Sequence, residues 1–356
     1  MSDEDAAAPA PPSPDSIRKV QSAIQSLSSI EPSIPTSLSS SNNPALSLLQ
    51  DPKVSSRISA LLREPNSGSG DNNLCRWLYD TFQSTVPELQ LVVLRFLPVV
   101  AGIYLSRIVH RKPQAGFEAV LLALYASETN SRSGQAVTVT IPDLSHSSVY
   151  HESKSTVKNN ATNLDLAVVS PSLEPHGTVR STRRARIVGV ALELYYSKIS
   201  LMPIKSKIEL CEFCKIWAGQ DGDMYKGFGS ESERKQIDDD DEDEDEVVGD
   251  GEEEPEIIVT EEEKRMKKKE GRIPLPWELL QPVLRILGHC LMGPNNSKEK
   301  ELFDAASDAC RCLYARAMHD VNPKAILAIG SLLRLLKRVE DNKFDDFDDY
   351  SDVISL

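Results

Sequence analysis

Apolar residues recur at helical spacing through most of the chain. Leu74, Leu78 and Phe82 fall at i, i+4 and i+8 with Trp77 beside them, which predicts one apolar helix face. Pro87 predicts the start of the next helix at about Glu88, and Pro98 kinks or divides it. Phe117 to Ala126 is apolar nearly all round and reads as a central core helix. The stretch 46–63 is a helix broken near Asp51-Pro52, with Asp51 as N-cap and Pro52 at the first helical position. Further on, a helix runs from near Ser181 to Met202, where Pro203 stops it, and another covers Ile208 to Trp217. After Pro276 the stripe Leu280, Leu284, Leu287, Leu291 predicts a helix. Helices over Phe303–Tyr314 and Pro323–Val339 follow, the last with the stripe Ile326, Ile329, Leu333, Leu336. Each stripe is read two ways, as internal core or as a face for a partner helix.

The periodicity fails at definite places. Residues 136–141, AVTVTI, alternate with period two and predict a short strand or extended segment ended by Pro142. Residues 153–180 are polar, contain Pro171 and Pro175, and read as a long loop. Residues 1–45 are rich in Ser, Pro and Ala and read as largely disordered, with a short helix around Ile17 to Leu27. The resulting fold class is all-α: an elongated multi-helix bundle or irregular solenoid of about nine helices, with one short extended segment near 136–141. The sequence shows no fixed-period repeat, so a regular array is not supported. The helical body spans 46–218 and resumes as 272–340 of the same domain. An acidic disordered insert, 219–271, separates the two parts, and an acidic tail covers 341–356.

Charge sharpens this division. The net charge of −14 is concentrated: residues 238–263 hold 17 Asp or Glu and no Lys or Arg, and residues 341–356 hold six Asp against one Lys. The remaining body is basic, which suits an anionic surface such as a phosphoinositide-rich or phosphatidylserine-rich membrane, or intramolecular neutralisation by the acidic tract. Six cysteines in 356 residues fit a reducing compartment rather than a disulfide-framed secreted scaffold. The acidic start does not fit a secretory or transit peptide. Arg95 and Pro98 interrupt the most apolar window, Leu89 to Leu105, which reads as a buried helix pair and not a membrane span.

Catalytic signals are weak. Cys211-Glu-Phe-Cys214 is a CxxC, but its only companions, His289-Cys290 and Cys310-Arg-Cys312, lie far downstream inside helical patterns. Core thiols therefore outrank a zinc site. His146 and His151 share a Ser-rich stretch without a nucleophile-elbow signature, and no phosphate-cradling Gly-rich motif is present. The reading is of a protein that is not an enzyme and uses no cofactor or metal. The cluster Arg180, Arg183, Arg184, Arg186 either contacts an anionic surface or is a solvated face. No aromatics interleave with it, which disfavours nucleic acid. Ser230 and Thr260 precede glutamates and suit acid-directed kinases.

One stretch is more specific. Thr140-Ile141-Pro142-Asp143-Leu144-Ser145, followed by Ser148-Val149-Tyr150-His151-Glu152, resembles the signature of the hyccin family. Leu94-Arg-Phe-Leu-Pro98, Phe117 to Tyr125, Leu201-Met-Pro203, Leu210 to Cys214 and Leu302 to Ala306 are similar to that family's segments in the same order. The resemblance covers roughly residues 46–218 and 272–338. It implies a non-catalytic α-helical subunit that packs against a tetratricopeptide-repeat scaffold. That pair supports the type III alpha phosphatidylinositol 4-kinase at the plasma membrane, with a palmitoylated helical-repeat protein as anchor. It implies a cytosolic and peripheral plasma-membrane location, with the anionic membrane surface met indirectly. The chain departs from the animal members in its acidic insert and in lacking their long Ser-rich C-terminal tail. A reading from another class is an acidic-tract nuclear interaction protein, similar to a histone chaperone, which rests on residues 238–263 alone.

Overall fold

The computed structural model describes residues 13–41, 43–142, 164–175, 178–180, 183–225, 272–293 and 299–348. In chain order its α-helices are α1 (Pro14–Ile30), α2 (Pro44–Gln50), α3 (Pro52–Arg63), α4 (Asn73–Gln83), α5 (Pro87–Arg95), α6 (Leu97–Val109), α7 (Ala115–Ser131), α8 (Arg184–Ser197), α9 (Ile204–Ala218), α10 (Trp277–Met292), α11 (Lys300–His319) and α12 (Pro323–Asp348). Strands β1 (Val137–Pro142) and β2 (Leu164–Ser170) form an antiparallel pair between α7 and α8. Short 3-10 turns lie at Thr36–Ser40, Ile199–Leu201 and Asp223–Tyr225. The all-α class holds, and several of its closest helix pairs skip along the chain, α9 with α11, α8 with α10 and α4 with α7, with α8–α12 closing the C-terminal half.

Helix starts follow the punctuation in the sequence. Asp51 accepts hydrogen bonds from the backbone N–H of Lys53 (2.8 Å) and Val54 (3.0 Å), which satisfies donors that the first turn of α3 leaves open. Pro52 occupies the first turn, where its missing N–H costs nothing. The chain breaks at Phe96 and not at Pro98: Pro98 sits in the first turn of α6, and α5 and α6 meet at 44°. No single helix among the described residues is long and apolar enough to cross a membrane. Every residue of the bent pair from Val92 to Leu105 is buried, and exposure begins at Ser106.

Two regions depart from the sequence reading. The helix expected around Ile17 to Leu27 is present and longer, and the disorder expected over the rest of residues 1–45 is corrected from residue 13 onward. Ser13 caps α1, Pro14 opens it, and Val20, Ile24 and Leu27 are buried against the rest of the fold. The indole Nε1 of Trp77 donates to the Ala23 carbonyl (2.9 Å), tying α1 to α4. The Ser-rich exterior masked the burial of this narrow apolar stripe, and each buried aliphatic contributes about 1.5–3 kcal/mol gross. The loop over 153–180 is corrected at residues 164–170, which pair as β2 with the strand expected at 136–141. Their pairing partner lies more than twenty residues away, which local composition does not reveal.

The acidic insert also begins later than expected. Gly219 ends α9 in the left-handed region (φ 58°), and residues 220–225 lie along α11. There the Tyr225 ring meets Tyr314 edge-on, with centroids 4.9 Å apart. Arg316 of α11 clamps both ends of the excursion. Its guanidinium donates to the carbonyls of Trp217 (3.3 Å), Ala218 (3.1 Å) and Ile273 (3.1 Å), and to Asp320 (2.5 Å). The chain therefore leaves α9 and returns to α10 at one point. The expected tail is helical as far as Asp348, since α12 continues that far.

Candidate interaction surface

The β1–β2 ribbon is anchored at its base and open beyond it. Leu173 N–H donates to the Gly134 carbonyl (2.8 Å), and Arg132 of the α7 C-cap donates to Ser170 Oγ (2.9 Å). Arg186 donates to the Pro171 carbonyl (2.9 Å), Tyr125 OH to the Glu174 carbonyl (3.1 Å), and Gln281 of α10 to the Val169 carbonyl (2.6 Å). Arg132 also lies 3.1 Å from Glu128 and 3.7 Å from Glu193. Burial pushes the Glu128 carboxyl up, and the Glu193 charge adds to that against the opposing Arg132.

Alternation along a strand normally hides one face. Here neither face is hidden. Register pairs Thr138 with Val168 and Thr140 with Leu166, placing those two apolar residues on one face. Val139 pairs with Ala167 on the other. Leu166 is 67% exposed, Val168 57%, Ile141 46% and Val139 45%. A two-stranded ribbon is marginal by itself, and exposed apolar side chains gathered in one place mark interaction sites.

Next to the ribbon, and joined to it through Gln281, runs a groove of about 530 Å³ between α8, α10 and α12. Leu284, Met292, Ala328 and Leu332 supply apolar lining. The Arg285 guanidinium lies over the Tyr196 ring at 4.2 Å, and the Lys324 ammonium over the Trp277 ring at 4.0 Å. Burial lowers the pKa of His289 on the groove wall, and the Lys207 charge lowers it further. No Asp or Glu lines this groove.

The sequence-picked residues are placed as follows. Of the family motif, Thr140, Ile141 and Pro142 lie on β1. Leu144, Ser148, Val149, Tyr150, His151 and Glu152 lie outside the described residues, as do Ser230 and Thr260. Leu280, Leu284, Leu287 and Leu291 are buried in α10, and Ile329, Leu333 and Leu336 in α12, with Ile326 half-buried. Both stripes are buried in the seam among α8, α10, α11 and α12, as the core alternative has it, and of the eight residues Leu284 also lines the groove. The arginine cluster is likewise not one free face. Arg183 pairs with Glu174, Arg184 lies 3.9 Å from Glu118, and Arg186 is buried on backbone carbonyls, leaving Arg180 exposed. These side chains fasten the ribbon and α8 instead.

The thiols of α9, α10 and α11 gather in the core. Cys211 shares a hydrogen bond with Cys290, and burial pushes Cys310 up to about 12. Such thiols stay protonated and are poor nucleophiles. Among the described residues no group of three or more His, Cys, Asp or Glu could hold a metal ion. β2, Gln281 and the cation–aromatic pairs were missed by sequence reasoning; the one signal was the LDLAVVS run at 164–170, overlooked inside a polar stretch.

A family model described as Hyccin matches residues 39–353, nearly the whole chain. It extends beyond the region over which the motifs carry the resemblance, starting within the segment before α2 and ending past α12. The chain belongs to the hyccin family, a family of non-catalytic regulatory subunits associated with the phosphatidylinositol 4-kinase alpha complex.

Proposed function

We propose that this chain is a scaffold subunit that stabilises a phosphatidylinositol 4-kinase complex and supports its recruitment to the cytoplasmic face of the plasma membrane. It thereby sustains phosphatidylinositol 4-phosphate production. Its direct partner is a tetratricopeptide-repeat scaffold. A palmitoylated helical-repeat protein anchors the assembly, and the chain itself meets the anionic membrane only indirectly.

The observation that carries the structural side of this reading is the ribbon. It holds Thr140, Ile141 and Pro142 of the family motif and bares Leu166, Val168, Val139 and Ile141 on a firmly anchored base. A stable heteromeric interface buries about 2,000 Å² or more, with an apolar centre and a polar rim. Helical-repeat proteins offer extended concave surfaces suited to a protruding ribbon. Binding only the folded form stabilises both partners by mass action.

The test is recovery of the tagged chain from gentle lysate, beside the variant Leu166→Ser/Val168→Ser. The reading expects a phosphatidylinositol 4-kinase and a repeat protein in stoichiometric amounts with the parent, and at least a tenfold loss with the variant. Recovery of histones through residues 238–263, with no kinase, would replace it with the nuclear reading.

A further inference from the structure

The groove between α8, α10 and α12 is lined by apolar side chains and one cation, Arg285, with Lys324 beside Trp277 at its edge, and among the described residues no Asp or Glu lines it. Arg285 and Lys324 stack on Tyr196 and Trp277, and neither has a carboxylate partner among the described residues. Arg285, half-buried against the Tyr196 face, attracts an anionic ligand more strongly than a cation in open solvent does, and the exposed Lys324 adds its charge at the groove edge. The floor, with Leu284, Met292 and Leu332, asks that ligand for aliphatic side chains as well.

We infer that this groove is a docking site for an acidic peptide segment with a short aliphatic centre, and that its occupant is residues 252–263 of the same chain. That segment reads EEEPEIIVTEEE: seven glutamates around Ile257, Ile258 and Val259. The three aliphatics match the floor, and the flanking carboxylates match Arg285 and Lys324. Tethering makes the match reachable. The excursion returns at Arg272, pinned to Asp320, and Trp277 at the groove mouth follows directly. The thirteen residues from Val259 to Arg272 span up to about 45 Å, and α10 from Trp277 to Met292 is only about 23 Å long. An intramolecular segment at this distance acts at millimolar effective concentration, so a modest intrinsic affinity fills the site. The inference rests on charge and geometry and on no part of the kinase-complex reading.

The test uses the full chain and a zero-length carbodiimide cross-linker, with adducts mapped by mass spectrometry. The expected result is a Lys324 cross-link to a glutamate of 252–263, in a yield independent of protein concentration and suppressed by high salt. Replacing the seven glutamates by glutamine should abolish it. That variant should also raise acrylamide quenching of Trp277 several-fold, the other two tryptophans being buried. Lys324→Gln/Arg285→Gln should raise quenching equally. Glutamates that link only to Lys264–Lys269 would overturn the inference, since the acidic and basic runs would then pair with each other and leave the groove empty. A yield that grows with concentration would overturn it in favour of a second copy as occupant. None of these readouts involves a kinase or repeat protein, so their failure leaves the proposed function standing.

Discussion

Arg316 and Asp320 show how single side chains hold a long excursion to the fold. Arg316 donates to three backbone carbonyls in the α9–α11 seam, one of which, that of Trp217, also accepts from the Ile273 N–H (3.3 Å). Removing a charged donor and leaving buried acceptors costs about 1–3 kcal/mol per group, so Arg316→Met, which strips the Ala218 and Ile273 carbonyls of this donor, should lower stability by about 2 kcal/mol or more in denaturant unfolding. A loss under 1 kcal/mol would mean that the clamp is solvated. Asp320 makes the clamp pH-sensitive. Burial alone would push its carboxyl up, but hydrogen bonds from Arg316 and His319 and the charges of Arg316 and Arg272 outweigh that and hold it below 3.8. A depressed carboxylate adds stability above its unfolded pKa, and that stability is lost as pH falls through the folded value. The parent should therefore exceed Asp320→Asn in stability at pH 6, and the gap should close as pH falls below the usual Asp range and through the lowered folded value. A gap that persists unchanged into acid would show that Asp320 acts through shape and not charge. Sequence alone displayed Arg316 as one more helical basic residue, because its partners come from positions about 100 and 43 residues away.

At the scale of elements, the helices were legible where prolines and caps punctuate an apolar period. Asp51-Pro52, Pro87 and Pro276 mark real starts, and Pro98 marks one displaced by two residues. Faces were less legible than elements. The stripes of α10 and α12 read equally well as core or interface, and only the packing of α8 and α11 against them decides for core. The ribbon was half legible, since a strand's partner is set by tertiary contact. Packing between elements also rests on positions that carry no side chain. A Cβ on Gly189 of α8 would stand 2.3 Å from the Glu278 carbonyl oxygen of α10. Alanine in a helix is worth about 1 kcal/mol over glycine, but a clash with backbone cannot relax by rotamer change, and overpacking costs about 1–3 kcal/mol or more. Gly189→Ala should therefore destabilise by about 1–2 kcal/mol on thermal or denaturant unfolding. A stabilised variant would mean that α8 and α10 sit farther apart.

The whole molecule is one helical body whose N-terminal helix is part of the core. Ile24 is fully buried between α1 and its neighbours. Ile24→Ala should cost about 2–4 kcal/mol in denaturant unfolding, whereas a disordered N-terminus would give no change. The same body gathers exposed apolar side chains from both strands on the ribbon, beside the groove lined by Arg285. Composition showed the charge asymmetry but not where the cations gather, because Arg285 and Lys324 come from helices that are distant in sequence. The central claim is that this family member works by binding through that ribbon. The most direct measurement is quantitative mass spectrometry of partners recovered with the parent chain and with Leu166→Ser/Val168→Ser, after both are shown to have the same unfolding midpoint. The account predicts a stoichiometric phosphatidylinositol 4-kinase and a tetratricopeptide-repeat protein with the parent, and their loss with the variant. Recovery of the parent as a monodisperse chain without a kinase, or equal recovery of partners with both, would contradict it.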